Sequence, residues 1–523
     1  MSKLKNKENN LEKIFKEAQD FLPLLGTNSI YFYIGLLLGA LSTIVLYPNT
    51  FNTHPEHLGL LQIIVAYSTI ISTFSFLGTP KTLIRFFPKV ENKDQLISLS
   101  FLIPIIGFLF VCFLYIIFKH PFLEFIKPQS TDPKELSTFI LLKENFHLVF
   151  LMVSFLSFFE VLSSLSRSLL NAIIPIFLKE VFLKGMNILL LFLHWFNFID
   201  FPTFLNLYIS LYFIMIIILS ISIFKRFDYK PTLIFTDLEN KKLLSFGLYV
   251  LIGGASAMLV SKVDMMMIGK FIGYKEVAFY TVAFFIGNVI RVPARAIGSI
   301  ATPLLAKAWE RNDIDQIRSI YSKSSINQLI IGGLMFLGIW LNIDDGLSLL
   351  PEKFQGGRLV VLFIAFSQLF NITTGVNGII IVNSKFYKFD LYANLILLLV
   401  TLYTNYLFIP DTSPLSKYDI VGINGAAFAT ALSVLIFNFI KLLYLYIKMK
   451  IQPFGIQTIK VLILILFTYY MVELLPEIHY VFFNIIIKSL VILLIYGMLI
   501  IIVKPSEDIT KFLKDFWNKL KMV

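Results

Sequence analysis

The chain has 523 residues, of which 57% are hydrophobic and only 15% charged, against roughly 25% charge in an ordinary soluble domain. Mean hydropathy is +0.79 and the net charge is +12. The apolar residues fall in blocks long enough to cross a bilayer, which excludes a soluble enzyme, a secreted disulfide scaffold and a disordered chain, and predicts an all-α polytopic membrane protein.

Residues 1–26 open on a polar, lysine-rich segment, 1–19, with no apolar core before a small-residue cleavage site. They are read as a basic amphipathic stretch on the cytoplasmic membrane surface, not as a cleaved signal peptide. A span needs about 20 mostly apolar residues, and fourteen are expected. The first six are at roughly 27–47, 58–79, 96–118, 145–165, 185–199 and 203–224. The next six are at roughly 243–269, 277–302, 326–343, 359–383, 389–409 and 420–447, and two more follow at roughly 461–478 and 481–503. The longest outside loop, about 119–145, has room for a short helix but not for a domain. Residues 305–325 are expected to form an interfacial amphipathic helix, and 504–523 a cytoplasmic amphipathic helix that Ser506 would cap.

The positive-inside rule tests this count. Of the 45 Lys and Arg residues, 31 fall on the side of the N-terminus, 9 on the other side and 5 within spans. Both termini are therefore expected in the cytoplasm, and the basic excess is assigned to topology rather than to nucleic-acid binding. Cys112 is the only cysteine, and the six histidines are scattered without metal-ligand spacing, so no metal or cofactor is expected.

The second and eighth spans are each followed by a basic segment, Lys81, Arg85, Lys89 and Lys93 in one case and Lys307, Arg311, Arg318 and Lys323 in the other. The two spans are six apart in order, an even number, which is the mark of a parallel repeat. Residues 246–309 read FGLYVLIGGASAMLVSKVDMMMIGKFIGYKEVAFYTVAFFIGNVIRVPARAIGSIATPLLAKAW, with an Asp before an IGxFxG stretch, a YTVA run and a proline-containing helix ending in PLLA. This segment resembles the Wzx-type polysaccharide (O-antigen) flippases of the MOP superfamily, which also holds MATE exporters and MurJ-type lipid II flippases. HLGLLQIIVAYSTIISTFSFLGTPKTLIRFFP near the start resembles the N-terminal lobe of these proteins, and GINGAAFATALS at 422–433 their twelfth helix.

The resemblance implies two six-helix bundles in a V, at 27–226 and 227–447, with two extra helices at 448–503. It also implies a substrate, an undecaprenyl-pyrophosphate-linked oligosaccharide moved from the cytoplasmic to the periplasmic leaflet of the bacterial inner membrane for lipopolysaccharide or another surface glycan. A polysaccharide polymerase and glycosyltransferases would be the accompanying partners, besides membrane lipids.

Such transport breaks no bond, so no catalytic residue is expected; the obstacle is moving a pyrophosphate and many hydroxyls through hydrocarbon. Arg291 lies halfway along the eighth span, with Arg295 four residues on and on the same helical face. Charge at that depth costs at least about 2.5–3.5 kcal/mol and usually faces a cavity or a partner. The planar guanidinium also suits phosphate oxygens. Lys81 and Arg85 close the second span, where they either meet the arriving pyrophosphate or enforce topology. Asp264, with Lys262 two residues before it, either couples transport to an H+ or Na+ gradient or serves as a counter-charge. Asn371, Thr374 and Asn377 interrupt the tenth span and either line the cavity toward sugar hydroxyls or bond neighbouring helices. Pro293 is expected to kink the eighth span, and Lys488 to snorkel or make a structural contact. The rival readings are a MATE-like ion-coupled exporter, a lipid II flippase, a nonspecific scramblase and, as an enzyme, a polytopic glycan polymerase or ligase. The last usually carries a large outside loop, which this sequence lacks.

Overall fold

A computed structural model describes residues 30–225, 227–233, 240–476 and 478–511. The N-terminal amphipathic stretch and most of the C-terminal one lie outside them. The described chain is helical, with no strand among the described residues.

The first helix, α1 (Ile30–Thr50), contains one wide π-helical turn at Leu41–Leu46. α2 (Pro55–Ser75) ends at a turn where Leu77 and Gly78 take φ of 46° and 73°. Glycine is needed at 78, because the Gly247 carbonyl oxygen passes 2.3 Å from where a Cβ would stand. The short α3 (Thr79–Phe86) follows, and then α4 (Lys93–Ile126). α4 is kinked at Phe118, just before Pro121, whose ring cannot continue the hydrogen-bond ladder. The loop expected on the outside does hold a short helix, α5 (Pro133–Glu144). Next come α6 (His147–Ser168), α7 (173–195, with a second π turn at Leu178–Phe182) and α8 (Phe201–Phe224), which starts on the Asp200 side chain as its cap.

The following hairpin is α9 (Asn240–Phe271) and α10 (Tyr274–Asn288). A single 3-10 turn, Val289–Arg291, links α10 to α11 (Val292–Glu310). Pro293 has no N–H for the carbonyl of Val289, which explains the change of pitch there. α12 is Ile314–Trp340, α13 Arg358–Thr373 and α14 Asn377–Asn383. The chain between α13 and α14 is broken at Gly375, φ 66°. α15 (Lys388–Phe408), α16 (Gly422–Met449), α17 (Ile456–Glu473) and α18 (Val481–Val503) complete the fold.

Twelve helices among the described residues are long and apolar enough to cross a bilayer. The two other expected spans, 185–199 and 326–343, overlap the C-terminal parts of α7 and α12, which are helical but more polar. α7 carries Lys179, Glu180 and Lys184, and α12 carries Ser324, Ser325, Asn327 and Gln328. The expected interfacial helix at 305–325 does not form: α11 and α12 run on from either side and meet at Arg311–Asp313. Asn312 turns there with φ 53°, and the Asp313 side chain caps α12 by accepting the Gln316 N–H at 2.9 Å. At the other end, Ser506 accepts the Ile509 N–H at 3.4 Å and caps the helix that starts there.

The chain divides into two compact units. The first comprises residues 1–50, 67–122 and 143–254, and the second 51–66, 123–142 and 255–523. The first is built on a core of Leu83, Ile97, Leu165, Leu178, Met215 and Leu219. Gly35 of α1 lies against Glu180 of α7, whose carbonyl oxygen is 2.8 Å from where a Cβ would stand, so the two helices pack closely there. The second unit has three core clusters, one of which seats α17 and α18 on α12 through Leu337, Val461, Ile492 and Tyr496. Lys488 of α18 does not reach for lipid headgroups: it pairs with Asp345 at 3.2 Å, the structural alternative. Cys112 sits partly exposed on α4 of the first unit.

Candidate functional site

Asp264 of α9 is 6% exposed and lies inside the second unit. Three neutral donors from three other helices hold its carboxylate. Tyr280 Oη of α10 donates at 2.7 Å, Asn405 Nδ2 of α15 at 2.7 Å and Thr430 Oγ1 of α16 at 2.5 Å. No Lys or Arg among the described residues pairs with it. The carboxyl group is therefore satisfied by hydrogen bonds from neutral groups alone, which a polar group in a low-dielectric interior requires. Beside it, the Asn405 side-chain oxygen is buried without a partner. A carboxylate, an amide and two hydroxyls from four helices thus meet in one buried polar cluster of the second unit. No cluster of three or more His, Cys, Asp or Glu side chains among the described residues could hold a metal ion.

Arg291 closes the 3-10 turn and Arg295 lies on α11 one turn later, both exposed. Neither has a hydrogen bond or ion pair with a described residue. Lys262, two residues before Asp264, is partly buried and has no partner among the described residues. Two residues along a helix turn the side chain by about 200°, so Lys262 leaves α9 on the side away from the Asp264 pocket. The counter-charge geometry is absent.

Asn371, Thr374 and Asn377 converge on Asn438 of α16. Thr374 Oγ1 and Asn377 Nδ2 donate to Asn438 Oδ1 at 3.0 and 3.2 Å, and Asn438 Nδ2 donates to Asn371 Oδ1 at 3.0 Å. Thr374, Asn377 and Asn438 are buried. These groups use their hydrogen bonds on one another and bridge the break between α13 and α14. Lys81 and Arg85 are exposed on α3, and the Arg85 guanidinium lies 4.2 Å from the Phe246 ring centroid.

Nothing in the sequence alone singles out Tyr280, Asn405, Thr430 or Asn438. Two of them stand inside motifs quoted above, Tyr280 at the head of YTVA and Thr430 within GINGAAFATALS. Lys441 of α16 also pairs with Asp390 of α15, at 2.8 Å, a contact between residues far apart in sequence.

A family model described as polysaccharide biosynthesis protein matches residues 25–309, and a MatE model matches residues 250–407. An uncharacterized membrane protein of Methanocaldococcus jannaschii is 24% identical over 349 residues, 61% of this chain and 66% of that relative's length. Among solved structures, the lipid II flippase MurJ in an inward closed conformation superposes with a TM-score of 0.74, at 16% identity, over 91% of this chain and 98% of that one. An inward-facing multidrug resistance MATE family transporter of the MOP superfamily gives 0.60, at 14% identity, over 78% and 94%. A MOP superfamily transporter from Pyrococcus furiosus gives 0.54, at 14% identity, over 82% and 95%. At these identities the structural likeness is one of fold.

Proposed function

We infer that this chain, which belongs to the polysaccharide biosynthesis protein family, is not an enzyme but a flippase. On this reading it moves an undecaprenyl-pyrophosphate-linked oligosaccharide from the cytoplasmic to the periplasmic leaflet by alternating access. The observation that carries the reading is a contrast. Asp264, Lys441, Lys488 and Glu160 lie within long helices and each is matched by a specific partner, Glu160 by Lys179 at 3.1 Å. Arg291 and Arg295 have no such partner among the described residues. A cation left unmatched where charge is expensive supports a role toward an anion that visits, and a pyrophosphate is such an anion. In this scheme the arginines offset the lost hydration of the phosphates while the polyprenyl tail stays in lipid. Asp264 binds the coupling H+ or Na+, a role that its neutral donors and the unpaired Asn405 oxygen support. The chain would reside in a bacterial inner membrane with both termini cytoplasmic, alongside a polymerase and glycosyltransferases.

Lipid II transport is the second reading, favoured by the likeness to a lipid II flippase. Both substrates share a polyprenyl pyrophosphate and differ in the glycan. The test is complementation at matched protein levels in strains lacking either a surface-glycan flippase or the lipid II flippase. Rescue of the first with loss of cytoplasmic lipid-linked oligosaccharide supports the oligosaccharide reading, and rescue of the second supports lipid II. In either strain Arg291→Ala should lose most transport, since a charge-assisted contact is worth about 1.5–3 kcal/mol, and Arg291→Lys should keep part of it. Normal export by a well-expressed Arg291→Ala protein would remove the arginine from the substrate path.

A further inference from the structure

We propose that Lys262 is a third cation on the path of the phosphate-bearing headgroup, set on the face of α9 turned away from the Asp264 pocket. The inference rests on the reading of the substrate as a pyrophosphate-linked lipid and adds a residue that contacts it. Lys262 stands next to the most elaborately bonded carboxylate of the second unit and takes no part in it: all three partners of Asp264 are neutral. The lysine has neither an ion pair nor a hydrogen bond among the described residues, although its side chain is partly buried. A lysine facing lipid from this position would be costly, whereas one facing a polar path is solvated until an anion replaces the water. The ammonium suits this use as a compact charge with three rotatable donors, which accepts phosphate oxygens from many directions.

Its position along the hairpin extends the two arginines into a series. The Asp264–Tyr280 bond fixes the register of α9 against α10. In that register Lys262 stands level with Val282, nine residues before Arg291, or about 13 Å along the helix; Arg295 is about 6 Å further. One hairpin and its continuation thus carry three cations without a partner among the described residues, at successive levels along the helix axes. One helix, α9, carries the Asp264 pocket on one face and a substrate cation on the other.

The test uses the full chain in lipid nanodiscs, with farnesyl pyrophosphate as the probe and farnesol as the uncharged control. Wild-type protein is expected to bind the pyrophosphate in preference to the alcohol. Lys262→Gln should weaken pyrophosphate binding roughly 10-fold or more, leave farnesol binding alone, and melt at or above the wild-type temperature because an unmatched charge has gone. Lys262→Arg should bind nearly as wild type. Full pyrophosphate affinity in Lys262→Gln, with Arg291→Ala impaired, overturns the inference and leaves the flippase reading standing. A fall in melting temperature in Lys262→Gln that Asp264→Asn repairs would show a counter-charge and also overturn it. Wild-type protein that does not distinguish pyrophosphate from alcohol overturns the flippase reading and this inference together.

Discussion

At the scale of single residues, Asp264 departs most from ordinary membrane-helix chemistry. Its three donors lie 16, 141 and 166 residues away in sequence, so the acid was legible but its surroundings were not. A lone Asp beside a Lys reads as an ion pair until the fold turns the two side chains to opposite faces. If Asp264 binds the coupling ion, Asp264→Asn keeps the shape and most hydrogen bonds and removes the charge. Transport in proteoliposomes should then lose its response to an imposed H+ or Na+ gradient, while the protein melts within a few degrees of wild type. Retained gradient dependence would assign the carboxylate a purely structural role. The network on Asn438 shows a different limit. Asn371, Thr374 and Asn377 were visible as polar interruptions of an apolar span, but a polar group facing a cavity and one facing a neighbouring helix look alike without the partner.

At the scale of elements, hydrophobic blocks marked the long helices because a 30 Å hydrocarbon layer demands uninterrupted apolar length. What they did not mark is how helices are joined. The interfacial helix expected between α11 and α12 fails because a charged, periodic stretch also suits the protruding ends of two long helices. The short helix α5 has a more specific attachment. Glu135 is buried and accepts the backbone N–H of Tyr274 and, at 3.0 Å, that of Lys275, capping the start of α10. Burial pushes the Glu135 carboxyl up from its ordinary 4.5; the two backbone bonds pull it down, and Glu56 and Asp132 add to the rise. A carboxyl raised in the folded state holds its proton where the unfolded chain has lost it. Its contribution to stability is therefore present in acid and lost as pH rises through the folded value. The melting temperature of the wild type should fall across the window just above pH 4.5, and Glu135→Gln should flatten that slope. An unchanged slope in the variant would place the titration elsewhere.

At the scale of the whole molecule, orientation rests on charge asymmetry, which a bilayer reads directly through the topology of short loops. Asn52, Asp411 and Asp313 are all exposed. Cysteines at 52 and 411 should react with an impermeant maleimide in intact cells, and one at 313 only after permeabilisation; labelling at 313 in intact cells would reverse the orientation. The division into two units was only partly legible, because residues 51–66 and 123–142 join the second unit although they precede most of the first in sequence. Long-range assignments of this kind depend on which helix ends meet, and hydropathy carries no record of that. The lone Cys112 gives these experiments a convenience of their own. One serine substitution yields a thiol-free parent, and retaining the native thiol while adding one cysteine to the second unit yields a pair of spin-label sites. The distance distribution of that pair, recorded with and without substrate, would resolve the working cycle as populations of interchanging states.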